Sequence, residues 1–238
     1  MDFTFLVLFF CFVVFLYIVY VLSRDDFVIL RSNTSIEKIF NLAYLSALFS
    51  LFSARLFYVL SNPKPIFATP LGFLLFPYFP GLSLISGLLG GYLISVIILK
   101  FWKLPIGRIT DFFSIGFLAA FPIGFLFSVF YSNQKISLPF YFSIVSYLLL
   151  LFVFVKFILS ITTGGKIKDG SLSFLFMFSF SLFYLLSNIS FSLGKNILNF
   201  ENVISFLTFL IFSIIFLQKE KLIEKYILKK NETLDQRS

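Results

Sequence analysis

The sequence predicts an all-α integral membrane protein, a bundle of about seven transmembrane helices with its N-terminus outside and its C-terminus in the cytoplasm. Hydrophobic residues make up 59% of the 238 residues and charged residues 13%, and the mean hydropathy is +1.01. A soluble domain, whose surface is mostly polar, does not have this composition. The number of helices follows from seven apolar stretches, and their orientation from an uneven distribution of lysine and arginine.

Each of the seven stretches comes near the length of a membrane span, which is about 20 mostly apolar residues. The first, 3–22, begins Met-Asp-Phe-Thr without a basic leader or a small-residue cleavage motif, so it is interpreted as a retained helix. A single transmembrane domain over 1–218 and a polar cytoplasmic tail over 219–238 follow from this assignment. The other six spans are predicted at 39–60, 82–101, 111–131, 138–159, 171–192 and 203–218.

The basic residues alternate between the two ends of the predicted bundle. The connections after spans 1, 3 and 5 carry three each and the tail carries six, whereas each opposite connection carries one. Cytoplasmic loops are enriched in lysine and arginine, which places the N-terminus outside and makes a nucleic-acid partner unnecessary to explain the net charge of +8. The cytoplasmic group is Arg24, Arg31, Lys38, Lys100, Lys103, Arg108, Lys156, Lys166, Lys168, Lys219, Lys221, Lys225, Lys229, Lys230 and Arg237, and the external group is Lys64, Lys135 and Lys195.

Two features of the composition restrict the chemistry. The chain has no histidine, which excludes imidazole acid–base catalysis and histidine-ligated metals. Its single cysteine, Cys11, can form neither a disulfide framework nor a cysteine metal cluster. The sequence therefore predicts no metal site and no cofactor. The 39 phenylalanines are interpreted as lipid-facing filler.

One arginine, Arg55, falls within an apolar stretch, near the outer end of span 2. An ionisable side chain at membrane depth is costly, so it marks a candidate site that has something to pair with. The alternative is that the side chain snorkels to the lipid headgroups. Because Arg55 is close to a helix end, an Arg55→Ala protein is expected to insert and fold.

The connection between spans 2 and 3 is unusually apolar. Residues 66–80 are too hydrophobic for water and too rich in proline to span the membrane. They are predicted to lie in the interface, to dip back into the protein, or to cover the bundle as a surface loop. In the next span Gly87, Gly90 and Gly91 allow another helix or a ligand to approach closely, and helix packing is the favoured role.

The run from Asn41 to about Asp111 resembles the prolipoprotein diacylglyceryl transferase family of bacterial inner-membrane enzymes. The central match is Ala54-Arg-Leu-Phe-Tyr-Val-Leu, beside the family's Gly-Arg-x-Gly-Tyr-Val-x. The further matches are Asn62-Pro63, Gly81-Leu-Ser, Gly87-Leu-Leu-Gly and Asp111-Phe, with a weaker one at Gly170-Ser-Leu-Ser.

This resemblance implies a seven-helix enzyme that transfers a diacylglyceryl group from phosphatidylglycerol to the thiol of a lipobox cysteine in lipoprotein maturation. It implies membrane phospholipid, in particular phosphatidylglycerol, and the signal segment of a prolipoprotein as partners. It also implies a multi-pass location in the bacterial inner (plasma) membrane. No catalytic residue is assigned, and the residues predicted to bind a lipid phosphate are Arg55, Tyr58, Asn62, Ser83, Gly87, Tyr184 and Asn188.

The chain departs from the family at positions that carry its chemistry. Ile85 stands where the family has a histidine, and an ungapped placement sets Phe125 and Tyr184 on its two arginines and Asn188 on its glutamate. A leaving phosphate requires a cation clamp. Three functions therefore stay open: a transferase with a site rebuilt around Arg55, a non-catalytic relative that binds phospholipid or lipoprotein segments, and a small transporter.

Several polar residues also have structural interpretations. Tyr58, Tyr131 and Tyr184 fit an interfacial aromatic belt, and Asn188 fits interhelical hydrogen bonding. Asp111, at the start of span 4, fits helix capping and complementarity to the helix dipole. The other polar residues predicted in the outer half are Asn133, Lys195 and Glu201.

Overall fold

The computed structural model describes residues 4–69, 72–73, 81–132, 138–165, 167–191 and 199–220. This part of the chain is built from helices and their connections, without a strand. Seven of the helical segments are long and apolar enough to cross a membrane, which confirms the predicted number of spans. The protein is a multi-pass membrane protein with an all-α fold.

The boundaries of the spans agree with the predicted ones to within a few residues, and the fourth span differs most. It begins at Ile106 and not at 111, so that Arg108 lies inside a helix. A π-helical turn, Phe154–Ile158, joins two α-helices into the fifth span, and a 3-10 turn, Pro65–Ala68, follows the second. The α-helices are α1 (Thr4–Arg24), α2 (Phe27–Arg31), α3 (Ile36–Ser61), α4 (Leu84–Phe101), α5 (Ile106–Ser132), α6 (Leu138–Val153), α7 (Leu159–Thr163), α8 (Ser171–Phe191) and α9 (Phe200–Lys219).

The bundle has two ends, each of which is named here after a buried arginine. Arg55 is 2% exposed and Arg108 is 6% exposed. The Arg55 end contains the last turns of α3 and α8 and the first turns of α4 and α9. The Arg108 end contains the last turns of α1 and α9 and the first turns of α3, α5 and α8. Glu220 is buried at this end, so the packed domain extends two residues into the predicted tail, and 221–238 lie outside the described residues.

Helices α3 and α4 pack closely along a row of small residues. A Cβ atom added to Gly87 would lie 3.0 Å from Ala54 Cβ, and one added to Gly90 would lie 2.5 Å from Ser53 Cβ. Further along the same contact, the hydroxyls of Ser46 and Ser95 are 2.8 Å apart. Small residues allow helix backbones in a membrane to approach and gain van der Waals contact. The predicted packing role of these glycines is confirmed.

Aromatic side chains fill the interior between the two ends. Tyr147, Phe176 and Phe180 are at most 2% exposed. The Phe121 ring centroid lies 4.7 Å from that of Tyr147 and 5.1 Å from that of Phe180, both in edge-to-face arrangements. These rings form the core, so the interpretation of phenylalanine as lipid-facing filler is wrong for them. It fits exposed rings such as that of Phe101.

Candidate functional site at the Arg55 end

Arg55 binds the chain segment that connects α3 to α4. Its Nε and Nη2 donate to the carbonyl oxygens of Phe73 and Gly72, at 2.9 and 2.8 Å, and its Nη1 donates to that of Gly81, at 2.9 Å. The guanidinium carbon also lies 4.9 Å from the centroid of the Phe67 ring. The side chain is thus turned into the protein, and the snorkelling interpretation is wrong.

The local backbone explains why an arginine is needed at this position. The Phe73 N–H donates to the Thr69 carbonyl at 3.0 Å and the Gly72 N–H to Thr69 Oγ1 at 3.1 Å, which closes a turn. This turn presents the carbonyls of Gly72 and Phe73 side by side, and buried carbonyls require donors. A guanidinium supplies five N–H groups in a planar fork, which can serve several carbonyls at once.

Tyr58 completes the group around Arg55. Its ring lies 6.1 Å from that of Phe67 and 5.9 Å from the Arg55 guanidinium carbon. Gly81 has a φ of +143°, and a Cβ atom added to it would lie 2.7 Å from Tyr58 Cδ1, so this position requires glycine. We call this group the Arg55 cluster, and its members are Arg55, Tyr58, Phe67, Gly72, Phe73 and Gly81.

The described part of the apolar connection therefore packs onto the helices. Phe67 is buried, and the Phe73 ring lies 5.7 Å from that of Phe52 on α3. The remainder of the predicted loop, 70–71 and 74–80, lies outside the described residues.

Asn62, Ser83 and Gly87 have contacts that serve the helix ends. Asn62 is exposed and caps α3, where its backbone and side-chain nitrogens both donate to the Tyr58 carbonyl, at 3.0 and 3.3 Å. Ser83 is buried and its Oγ donates to Ser86 Oγ at 2.9 Å. Gly87 lies in the α3–α4 contact described above. These three predicted residues thus lie on either side of the connection from α3 to α4.

Tyr184 and Asn188 belong to a second polar group, between α8 and α9. The Tyr184 hydroxyl donates to Glu201 Oε2 at 3.0 Å, and Asn188 Nδ2 donates to Asn202 Oδ1 at 3.2 Å. The interhelical hydrogen bonding predicted for Asn188 is confirmed. We call these four residues the Glu201 cluster. The predicted site residues are therefore divided between two groups, and the side chains of Tyr131, Asn133 and Lys195 lie outside the described part of the chain.

The two groups lie on neighbouring helix ends. The ring of Phe57 on α3 stacks on that of Phe200 on α9, with centroids 6.3 Å apart. Phe57 follows Arg55 by two residues and Phe200 immediately precedes Glu201. The guanidinium and the carboxylate are thus carried by helix ends that touch.

The Arg108 end contains a charged network that the sequence analysis did not predict. Arg108 Nε and Nη2 donate to Asp26 Oδ2 at 2.8 and 2.6 Å, and Nη1 donates to Asp169 Oδ1 at 3.3 Å. Arg108 lies in the first turn of α5 and not in a connection, because the helix begins directly after Pro105, a residue that favours a helix start. The prediction that Arg55 is the one arginine buried in an apolar segment is therefore wrong, whereas the cytoplasmic side of Arg108 stays a prediction.

Asp111 and Glu220 extend this network to α8 and α9. Asp111 accepts from the backbone N–H groups of Gly170 and Ser173, both at 2.7 Å. The predicted capping role is therefore correct in kind, but Asp111 caps α8 and not its own helix. Glu220 accepts from the Ser171 hydroxyl and from the backbone N–H of Lys168. The sequence does contain a signal for this network, because acidic and basic residues occur together near those ends of the predicted spans that meet here.

Among the described residues, no three histidine, cysteine, aspartate or glutamate side chains are grouped so that they could hold a metal ion. Comparison of the chain with protein-family models, with curated proteins and with solved structures finds no match. The Arg55 cluster and the Glu201 cluster are thus the structural features that bear on function.

Proposed function

We propose that this chain is a phospholipid-binding membrane protein of the prolipoprotein diacylglyceryl transferase type, and that it binds the lipid headgroup at the Arg55 end. The supporting observation is the buried guanidinium of Arg55, within the segment that resembles the family's Gly-Arg-x-Gly-Tyr-Val. Arginine is the residue best suited to a lipid phosphate. The distribution of basic residues supports an external Arg55 end, and the resemblance supports the bacterial inner membrane and phosphatidylglycerol as the lipid.

The geometry favours binding without catalysis. The Arg55 guanidinium already donates to three backbone carbonyls, so a phosphate would have to share or replace these bonds. Phe125, placed on a family arginine, packs instead among aromatic rings, 5.9 Å from that of Phe121 and 6.4 Å from that of Tyr147. A preorganised clamp for a leaving phosphate needs further cationic groups beside Arg55, and Phe125 does not supply one. We therefore rank the non-catalytic relative first, with lipoprotein segments as its second kind of partner.

Transferase activity is the second candidate, and the contact between Tyr184 and Glu201 favours it. A carboxylate near a lipid headgroup can accept the proton of a cysteine thiol. In the family's reaction the resulting thiolate sulfur bonds to the glyceryl carbon. The bond from that carbon to the phosphate oxygen breaks, and glycerol phosphate leaves with the electron pair. In this chain Glu201 would be the base and Arg55 the phosphate ligand.

Transport has less support from the interior of the bundle. Transporters place polar or charged groups near the membrane midplane, where the substrate binds. Here the midplane region of α5, α6 and α8 holds packed aromatic rings, including those of Tyr147, Phe176 and Phe180. The charged groups described above lie toward the two ends.

One experiment distinguishes the first two functions. Purified protein is given labelled phosphatidylglycerol and a lipobox peptide with a free cysteine, and both retained lipid and released glycerol phosphate are measured. We expect retained lipid without release, and retention that falls in Arg55→Ala but not in Arg31→Ala, where the exposed arginine at the other end is removed.

Two results would contradict the proposal. Release of glycerol phosphate that requires both the peptide thiol and Arg55 would establish a transferase. Folded protein that retains no phospholipid would rule out lipid binding at the Arg55 end.

A further inference from the structure

Glu201 is an acid that lacks a cationic partner within the described chain. It lies in the first turn of α9, is partly buried, and accepts a hydrogen bond from Tyr184 on α8. The ion pairs among the described residues involve Arg24 and Arg108, and none includes Glu201. A carboxylate at the end of a membrane helix is costly unless something compensates its charge.

The position of Glu201 in a first helical turn does not account for its surroundings. An acid there is favoured by the helix dipole. Glu37 occupies the equivalent place in α3 and is exposed to solvent, as such an acid usually is. Glu201 instead packs beside the phenol of a neighbouring helix, and the dipole does not require that contact.

The hydrogen bonds leave the carboxylate with unused acceptor capacity. An ionised carboxylate has about four lone-pair positions for donors. Tyr184 fills one of them, and its single hydroxyl hydrogen is then used. Asn188 directs a side-chain N–H to Asn202, and an amide carries no positive charge that could balance the carboxylate. The cluster therefore suits a ligand that brings both N–H donors and a positive charge.

The neighbouring Arg55 cluster narrows the ligand class. Because Phe57 and Phe200 are in contact, a guanidinium and a carboxylate lie on adjoining helix ends. A headgroup that carries a phosphate and an ammonium group has the complementary pair of charges. Phosphatidylglycerol has only the phosphate.

We propose that the Glu201 cluster binds the ammonium group of an aminophospholipid headgroup, as in phosphatidylethanolamine. The proposal rests on lipid binding at the Arg55 end, and it adds an aminophospholipid to the phosphatidylglycerol that is proposed to bind there. A primary ammonium has three N–H groups that can donate to the Glu201 carboxylate. The trimethylammonium of phosphatidylcholine has the same charge but no N–H, so it fits the site less well.

Native mass spectrometry of the purified full chain tests this preference. The protein is mixed with equal amounts of phosphatidylethanolamine, phosphatidylcholine and phosphatidylglycerol with matched acyl chains. We expect phosphatidylethanolamine to be retained over phosphatidylcholine by roughly tenfold, the usual worth of a charge-assisted hydrogen bond. Glu201→Gln should abolish the preference and leave phosphatidylglycerol retention unchanged, whereas the control Glu37→Gln should keep it.

A second variant, Tyr184→Phe, tests the proposal independently of the Glu201→Gln substitution. Tyr184→Phe keeps the carboxylate and frees an acceptor position, so the preference should persist in it. Loss of the preference in Tyr184→Phe together with its retention in Glu201→Gln would place recognition on the phenol and overturn the proposal.

Other results separate this proposal from the proposed function. Equal retention of all three lipids by the wild-type protein would overturn the ammonium site and leave lipid binding in place. Retention of none would overturn both. A last arm adds free ethanolamine to lipid-free protein. Binding that Glu201→Gln abolishes, without any preference among the lipids, would assign the site to a small amine and contradict the lipid assignment.

Discussion

The guanidinium groups of the two buried arginines, Arg55 and Arg108, donate hydrogen bonds to different kinds of acceptor. Arg108 donates to the carboxylates of Asp26 and Asp169, which balance its charge. Arg55 donates to the backbone carbonyls of Gly72, Phe73 and Gly81. These bonds order the connection to α4, so Arg55 has a structural role at this end of the bundle.

Replacement of Arg55 by alanine tests the structural part of this role. The protein is expected to insert and fold, as the place of Arg55 near a helix end predicts. The connection should loosen, because hydrogen bonds from a charged donor contribute about 1.5–3 kcal/mol each. Chymotrypsin should cleave at Phe67 and Phe73 faster than in the wild-type protein, and Arg55→Lys should be intermediate.

Two results would contradict this expectation. Unchanged cleavage in Arg55→Ala would mean that the three hydrogen bonds do not hold the connection. Failure to recover detergent-stable protein would mean that the charge is required for the whole fold.

At the scale of the helix, the close contact between α3 and α4 depends on glycine. Helices α3 and α4 meet where Gly90 faces Ser53, with no space for a further methyl group. Ser83 directly precedes α4 and Gly87 lies in its first turn, and the Ser83 N–H donates to the Ala54 carbonyl at 3.0 Å. The α3–α4 contact thus determines where the connection held by Arg55 can lie.

We expect Gly90→Ala to destabilise the protein by about 1–3 kcal/mol, the usual range for overpacking a close contact. The added Cβ would push α4 away from Ser53, so Ser53→Gly in the same chain should restore part of the loss. Leu93→Phe, on the exposed side of α4, is the control and should have little effect. Thermal unfolding in detergent is measured for the wild-type protein, for Gly90→Ala, Ser53→Gly and Leu93→Phe, and for the double variant. Additive effects of Gly90→Ala and Ser53→Gly would argue against the contact.

The sequence predicted the helices better than it predicted their contacts. Span number and approximate limits depend on local apolar length, which is readable along the chain. The start of α5 was missed because Arg108 resembles a loop residue until it is paired with Asp26, which is 82 residues away. Tyr184 and Glu201 were each noted as polar residues, but their hydrogen bond depends on how α8 and α9 pack. Resemblance grouped Arg55 with Tyr184, whereas the structure gives them different partners.

At the scale of the whole molecule, orientation is the prediction that most needs a test. Lys64 follows α3 at the Arg55 end, and Lys38 lies in its first turn at the Arg108 end, both exposed. The 26 residues of α3 span about 39 Å at 1.5 Å per residue, so the two positions lie on opposite sides of a membrane.

Cysteine labelling measures this orientation. In a Cys11→Ser background, Lys64→Cys should react with a membrane-impermeant maleimide in intact bacteria. Lys38→Cys should react only after permeabilisation. The reverse pattern would invert the orientation that the basic residues predict.

The network at the Arg108 end also has a consequence for how the protein is made. Asp26 is synthesised 82 residues before Arg108, Asp169 follows Arg108 by 61, and Lys219, which donates to the Asp169 carbonyl, follows by a further 50. A growing chain therefore carries a carboxylate whose partner has not yet entered the membrane. Among the described helices α9 is synthesised last, and it supplies the last of these contacts. A chain that stopped before α9 would leave the Asp169 carbonyl without Lys219 and the Ser171 hydroxyl without Glu220, while the ion pair of Asp26 with Arg108 could already form.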